Sequence, residues 1–142
     1  MKLASIDVGL KRIGVAICLA SNIVTPQNAI LRKNRNQAAN DVNAFLKEWE
    51  IEKLIVGFPS SSIDMQNRIN HFISLLQLTI PYELQEENMS SIEAEDLIKG
   101  EIKYKRDGRI DSLAAKIILE RNLIKNKNKE SIWILHLMPT IL

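Results

Sequence analysis

Four acidic residues follow or begin predicted secondary structure elements, where their carboxylates can meet. Asp7 ends an apolar first strand, Glu86 and Glu87 directly follow a later strand, and Asp111 lies in the first turn of a predicted last helix. An ionised carboxylate at the end of a buried strand costs several kcal/mol unless a cation or another partner compensates it. Because ligands collect at the carboxyl ends of strands in open mixed sheets, we expect these acids to share one edge of one sheet.

Such a cluster suits hydrolysis of phosphodiester bonds. Hard oxygen ligands select Mg²⁺ or Mn²⁺, and two ions about 4 Å apart can generate a hydroxide and stabilise the leaving oxygen. The chain has two histidines far apart and one cysteine, so it offers no zinc cluster. We therefore predict that the catalytic and metal-binding residues are Asp7, Glu86, Glu87 and Asp111.

Each acidic position also has an ordinary structural explanation. The Asp7-Val8-Gly9 segment is typical of a turn, and a pair of glutamates in a loop is usually solvated. An aspartate in a first helical turn, like Asp111, is favoured by the helix dipole whatever its function. The prediction depends on the three places converging.

The elements that must position these acids form an α/β pattern. Short apolar or alternating runs predict five strands, over residues 2–8, 12–19, 23–31, 53–59 and 80–85. In the second strand the small residues Gly14, Ala16 and Cys18 share a face, which would let a helix approach the sheet closely. Pro26 cannot donate to a ladder, so the third strand lies at an edge or is broken there.

Helical periodicity separates the later strands. The stripe of the first helix includes Val42 and Leu46, Ser61 or Ser62 caps the second helix, and a capping box at residues 90–93 begins a third. Residues 99–108 predict a basic loop, and a last helix begins near Arg109. The fold class is a mixed five-stranded sheet, a three-stranded antiparallel meander followed by alternating helices and strands, with flanking helices.

Composition and charge narrow the setting. The chain has 142 residues, which fits one domain, and no run approaches the roughly 18 apolar residues of a membrane span. One cysteine and the lack of a signal-peptide layout predict a reducing, cytosolic location. Residues 99–142 carry ten basic and five acidic side chains, whereas residues 1–98 carry nine and twelve. The basic third fits a phosphate backbone, and a solvated lysine-rich helix explains it equally well.

Four ordered segments resemble one family. Residues 5–16 (Ser-Ile-Asp-Val-Gly-Leu-Lys-Arg-Ile-Gly-Val-Ala) are similar to the opening of the YqgF/RuvX family, bacterial proteins with a ribonuclease H-like fold related to Holliday junction resolvases. Residues 55–59, 86–94 and 110–115 resemble its Val-Gly-Leu-Pro, Asp-Glu-Arg-Leu and Asp-Ser-x-Ala-Ala motifs. The resemblance covers about residues 1–125, taken as a nuclease domain, and leaves residues 126–142 as a basic and then apolar tail.

The resemblance implies a metal-dependent nuclease that processes the 5′ end of pre-16S ribosomal RNA, with resolution of branched DNA as the alternative. Asp7 and Asp111 fall on the family's acidic positions, and Glu86 and Glu87 on its Asp-Glu pair. Structured RNA or branched DNA is the implied partner. The residues predicted to bind it are Lys11, Arg12, Lys105, Arg106 and Arg109. The apolar tail also allows a homodimer.

The chain departs from the family at three places. Glu86 replaces an aspartate, Asn88 replaces an arginine, and the segment after Pro59 lacks the usual glycine. Asn88 loses a bidentate phosphate contact, so a non-catalytic nucleic-acid or ribosome-binding module is a competing hypothesis. A third reading is the phosphate loop of sugar kinases and actin-like ATPases, which need two such domains to enclose ATP. Nuclease assays and ATP binding discriminate among the three.

Overall fold

The structure, a computed structural model, describes residues 1–87 and 108–137. Its elements in chain order are β1 (Leu3–Val8), β2 (Arg12–Cys18), β3 (Thr25–Leu31), α1 (Arg35–Glu48), β4 (Lys53–Phe58), α2 (Ile63–Leu76), β5 (Tyr82–Glu86) and α3 (Arg109–Leu137). The predicted helix near residues 90–98, the predicted loop at 99–108 except for its last residue, and Asn88 lie outside the described residues. The last helix begins at Arg109, as predicted, and continues without a break past residue 125.

The strands form one mixed sheet in the order β3-β2-β1-β4-β5. The first three strands pair antiparallel as a meander, and β4 pairs parallel with β1 and β5. The predicted mixed five-stranded sheet is confirmed. Pro26 lies in β3, which is an edge strand, so its missing N–H costs no ladder bond at a sheet centre.

One face of the sheet carries the larger apolar core. The alternating residues of β1 and β2 that include Ile6 and Val15 pack there against α1 and α2, around the fully buried Phe72. Asn34 caps α1 in a reciprocal capping box, and Ser62 caps α2 by accepting from the backbone N–H of Met65. The helices on this face are therefore fixed at their starts and along their apolar stripes.

The other face of the sheet is covered by α3. Its apolar cluster is smaller and includes Ala16, Ile55 and Ile118. A Cβ atom on Gly14 would overlap the backbone carbonyl oxygen of Asp111, so the helix lies against bare backbone there. The close approach predicted from the small residues of β2 is confirmed. No helix in the described ranges combines the length and the apolar character that crossing a membrane requires.

Candidate active site at one edge of the sheet

Asp7 belongs to the face of β1 that α3 covers. Strand alternation places it on the same side as Ser5, whose buried hydroxyl donates to the carbonyl oxygen of Ala115 at 2.6 Å. That bond ties the middle of β1 to α3. Asp7 itself pairs with Gly14 across the ladder. Its carboxyl group therefore lies, half-buried, between the end of the strand and the first turns of the helix.

Glu87 lies next to Asp7 although two strand spacings separate β5 from β1. The backbone N–H of Glu87 donates to the carbonyl oxygen of Phe58 at 3.0 Å, which continues the β4–β5 pairing one residue past β5. The side chain then passes over Gly57, where a Cβ atom would stand 2.9 Å from Glu87 Oε2 and 2.6 Å from Ile118 Cδ1. The missing side chain at residue 57 provides the space through which Glu87 contacts Asp7.

The two carboxyl groups are hydrogen-bonded to each other and share a proton. Burial, the nearby charge of Glu87, the hydrogen bond between them and the charge of Asp111 all raise the pKa of Asp7 well above its ordinary value. Burial also raises the pKa of Glu87, against the hydrogen bond from Asp7 and the positive charge of Arg121. Asp7 therefore holds the proton and donates it to Glu87.

Asp111 completes the acidic group from α3. Its backbone lies against Gly14, directly beside the Asp7 pairing position. The hydroxyl of Ser112 accepts from the N–H of Val15 at 3.4 Å, a second tie between this helix turn and β2. The structure thus brings Asp7, Glu87 and Asp111 to one edge of the sheet from three separate elements.

Glu86 occupies a different position from its neighbour. It is exposed, and Ser60 donates a hydrogen bond to its Oε1 at 2.9 Å. Because side chains alternate along a strand, Glu86 projects towards the loop after β4 on the side of Leu84, whereas Glu87 follows Gln85 towards α3. The structure separates the predicted pair.

Arg121, the cation next to Glu87, is not among the site residues predicted from the sequence. It lies on α3 about three turns after Asp111, within a helix rich in basic residues, and nothing in its spacing distinguishes it from the others. Its charge lowers the pKa of Glu87 and partly offsets the effect of burial. Arg121 therefore supplies positive charge against the carboxylates of the site.

The chemistry of the donor set fits a hard divalent cation. Carboxylate oxygens are the preferred ligands of Mg²⁺ and Mn²⁺, and a proton shared by two half-buried acids marks a place that a cation can take. Within the described part of the chain, no three acidic, histidine or cysteine side chains already stand in a metal-holding arrangement. The fit therefore rests on the Asp7–Glu87 pair and the nearby charge of Asp111.

The residues predicted to bind nucleic acid divide into two groups. Lys11 is exposed at the tip of the β1–β2 hairpin, and Arg12 and Arg109 line a cavity beside the acids. These three lie at the same end of the sheet as Asp7. Lys105 and Arg106 lie outside the described residues.

The chain matches a known protein family over most of its length. Residues 1–125 match the model of the RuvX family, described as Holliday junction resolvase. A protein of Sulfurovum sp. (strain NBC37-1), named "Putative pre-16S rRNA nuclease", is 66% identical over 126 residues, 87% of this chain and 98% of its own length. A protein of the same name from Sulfurimonas denitrificans is 51% identical, over 87% of this chain and 97% of its own length.

Solved structures agree on the fold. RuvC of T. thermophilus, in complex with a Holliday junction substrate, superposes with a TM-score of 0.56 at 13% identity over 90% of this chain and 96% of its own. The fowlpox virus Holliday junction resolvase gives 0.54 at 15% identity, over 89% and 99%. The predicted ribonuclease H-like fold is confirmed. With 125 residues matched to one family model and relatives of this similarity, the chain belongs to the RuvX family of nucleases.

Proposed function

We propose that the protein hydrolyses phosphodiester bonds with Mg²⁺ or Mn²⁺ held by Asp7, Glu87 and Asp111. The observation that carries the proposal is the hydrogen-bonded Asp7–Glu87 pair, formed across β4 with the charge of Asp111 beside it. We assign the ligand role to Glu87 and not to Glu86, because Glu86 is exposed and bonded to Ser60.

The chain's own residues hold the charge and the substrate. Asp7 and Glu87 would hold the cation after releasing their shared proton to solvent, and the charge of Arg121 offsets the remaining negative charge at Glu87. Lys11 and Arg12, at the hairpin beside Asp7, bind substrate phosphates next to the bond that is cleaved. A divalent ion held by these carboxylates supplies Lewis-acid activation of water and stabilises charge on the leaving oxygen.

The proposed substrate is the 5′ end of the precursor of 16S ribosomal RNA. The names of the relatives at 66% and 51% identity support this choice. Four-way DNA is the second candidate, supported by the description of the family as Holliday junction resolvase. A cytosolic location fits the RNA substrate and stays a prediction, as does a homodimer formed through residues 131–142.

Cleavage assays on both substrates test the proposal. Purified protein is incubated with a 5′-extended 16S precursor fragment or a four-way junction, in Mg²⁺, in Mn²⁺ and after chelation. We expect metal-dependent cleavage of the precursor by the wild type and by Glu48→Gln, an exposed control on α1, and a loss of about 10³-fold in Asp7→Asn. Tight binding without cleavage in either metal would favour the non-catalytic module.

A cellular experiment tests the substrate. We expect depletion of the protein to cause 16S precursor to accumulate, wild-type protein to remove it, and Asp111→Asn to leave it in place. Full rescue by Asp111→Asn would contradict a catalytic role for this carboxylate. Cells with normal 16S RNA and persistent DNA junctions would support the second substrate.

A further inference from the structure

A cavity of about 310 Å³ opens beside the acidic group, on the β3 side of Asp7. The end of the β1–β2 hairpin, the middle of β3 and the start of α3 form its walls. The polar residues Arg12, Arg109, Gln27 and Asn28 are among those that line it, and no acidic residue of the described part of the chain does so. The side-chain amide of Gln27 donates to the carbonyl oxygen of Pro26 at 3.2 Å, which leaves Asn28 as the amide open to a ligand. Its volume falls at the lower end of sites that hold a small organic ligand.

A β-bulge directs the β3 residues into this cavity. Ile13 pairs with Ile30, but Val15 pairs with Gln27, so Asn28 and Ala29 together oppose the single residue Gly14. Bulges of this kind bend an edge strand and re-aim its side chains, and they are frequent next to active sites.

The bulge lies close to the proposed chemistry. Gly14 pairs with Asp7 on its other side. Because neighbouring strands lie about 4.8 Å apart, the bulge stands roughly 10 Å from the backbone of Asp7. A ligand in the cavity would therefore sit next to the scissile phosphate and not on it.

The positive charge of Arg12 is available to a ligand. Arg12 is half-buried, and across the described ranges its guanidinium makes no ion pair or hydrogen bond. Its stem lies against the start of α3, where Arg12 Cδ is 3.5 Å from the position of a Cβ atom on Gly108. A fixed guanidinium fork is suited to bind a phosphate with two bonds or to stack on a base.

We propose that the cavity binds a single unpaired nucleotide of the substrate, adjacent to the scissile bond. Arg12 binds its phosphate, and the side-chain amide of Asn28 faces its base. A base within a duplex keeps its pairing edge occupied and stacked, so sequence-reading pockets take unstacked single-stranded nucleotides. The inference rests on the proposed function and narrows it, since the substrate class becomes a strand with an unpaired nucleotide beside the cleavage site.

Binding in an inactive background tests the inference. Asp7→Asn protein is titrated into a labelled RNA hairpin with a single-stranded 5′ extension and into the same hairpin with a blunt end, followed by fluorescence anisotropy. We expect Arg12→Ala to weaken binding of the extended hairpin by about 10-fold, since charge-assisted bonds to one phosphate are lost, and to change blunt-hairpin binding by less than about two-fold. Arg68→Ala, which removes an exposed arginine from α2, should change neither.

A second variant tests the base contact independently. Asn28→Ala should reduce the difference in affinity among hairpins that carry A, G, C or U at the first unpaired position. Asn40→Ala, at an exposed position of α1, should preserve that difference. Equal weakening of the extended and blunt hairpins by Arg12→Ala, or an unchanged base preference in Asn28→Ala, would overturn the subsite. Because binding needs no cleavage, failure here is separable from failure of the nuclease assay.

Discussion

The two faces of the sheet differ in what their residues are for. On the face covered by α1 and α2, the strands present aliphatic residues around Phe72. On the face covered by α3, the same strands present Ser5, Asp7 and Gly14, and β5 presents glutamate and glutamine. Along β1, for instance, Ile6 belongs to the first face and its neighbours Ser5 and Asp7 to the second. The first face carries the larger apolar core, and the second holds the acidic group to which we assign the chemistry.

The polar face costs stability that its hydrogen bonds largely offset. The fully buried Asn122 donates to Gln85 Oε1 at 3.1 Å and accepts from Asn126. Within the described ranges, no buried side-chain nitrogen or oxygen is left without a partner. The acidic pair is satisfied as well, but by a shared proton, which ties its state to pH and to cations. The comparison therefore predicts that substitutions on the two faces have opposite signatures.

Asp7→Asn should have the largest effect on activity and the smallest cost in stability. We expect the cleavage rate to fall by about 10³-fold, because a cation ligand is lost. This is at the upper end of the rate losses that follow removal of one electrostatic group from an active site. The metal-free variant should be more stable than the wild type at neutral pH, since an amide needs no proton there. Single-turnover cleavage and thermal unfolding measure the two effects. A less stable variant would contradict the assigned burial cost.

Phe72→Ala should show the opposite signature. Removing this fully buried ring from the α1–α2 face should lower the free energy of unfolding by about 3–5 kcal/mol, measured by urea denaturation. Ile63→Ala, an exposed position on the same helix, should cost far less. At temperatures where the variant is folded, cleavage per folded molecule should stay near wild type. A selective loss of catalysis would show that the two faces are coupled.

Gly57→Ala tests whether the space beside Gly57 allows Glu87 to contact Asp7. The new methyl group would displace Glu87 Oε2 and Ile118 Cδ1, both ends of side chains that can move. We expect cleavage to fall by about 10- to 100-fold, in the range of losses from disturbed ligand support, with a modest change in stability. In a double-mutant cycle with Glu87→Gln, the two losses should not add, because both remove the same contact. Additive losses would show that Gly57→Ala lowers cleavage by some route other than the contact of Glu87.

The pH dependence of stability should give the smallest effect. The pKa values of Asp7 and Glu87 are raised above the ordinary 3.8 and 4.5, so between those values and the raised ones the folded state binds more protons than the unfolded state. The contribution of the pair to stability is thus fully present at low pH and is lost as pH rises through the folded-state pKa values.

Thermal unfolding at a series of pH values measures this contribution of the Asp7–Glu87 pair to stability. As pH rises from about 5 to 8, metal-free wild type should lose stability relative to Asp7→Asn, and Mg²⁺ should remove the difference at the upper end. Burial raises the pKa of Glu83, but hydrogen bonds from Lys53 and Asn122 outweigh it and lower the pKa, so Glu83 changes stability with the opposite sign. Because Glu83 is present in both proteins, its contribution cancels in the comparison with Asp7→Asn. A difference independent of pH would contradict the shared proton.

Much of this architecture could be predicted because local patterns agreed with the fold. The alternation of β2 assigned Ile13 and Val15 to one face and Gly14 and Ala16 to the other, and the structure confirms both. Pro26 indicated an edge strand. The convergence of acids from three elements followed from the rule that strand ends gather at one side of the sheet.

Other features depended on contacts that one sequence does not reveal. The sequence analysis ended the fifth strand near Gln85 and left Glu86 and Glu87 as an undivided pair. The backbone bond from Glu87 to Phe58 continues the alternation by two residues, and that extension decides which glutamate faces Asp7. The bulge at Asn28 and Ala29 had no turn or glycine signal, because it arises from a register shift between two strands.

The position of β5 at the outer edge of the sheet has a consequence for how the centre is assembled. One of the three acids of the site, Glu87, directly follows β5, which is an edge strand. Glu83 of β5 forms ion pairs with Lys53 at 3.0 Å and with Lys125 at 3.8 Å. Sheet borders open at lower free energy than the interior. Local detachment of β5 would separate Glu87 from Asp7 while the core around Phe72 stayed folded. Activity would then be lost without a change in the temperature of global unfolding.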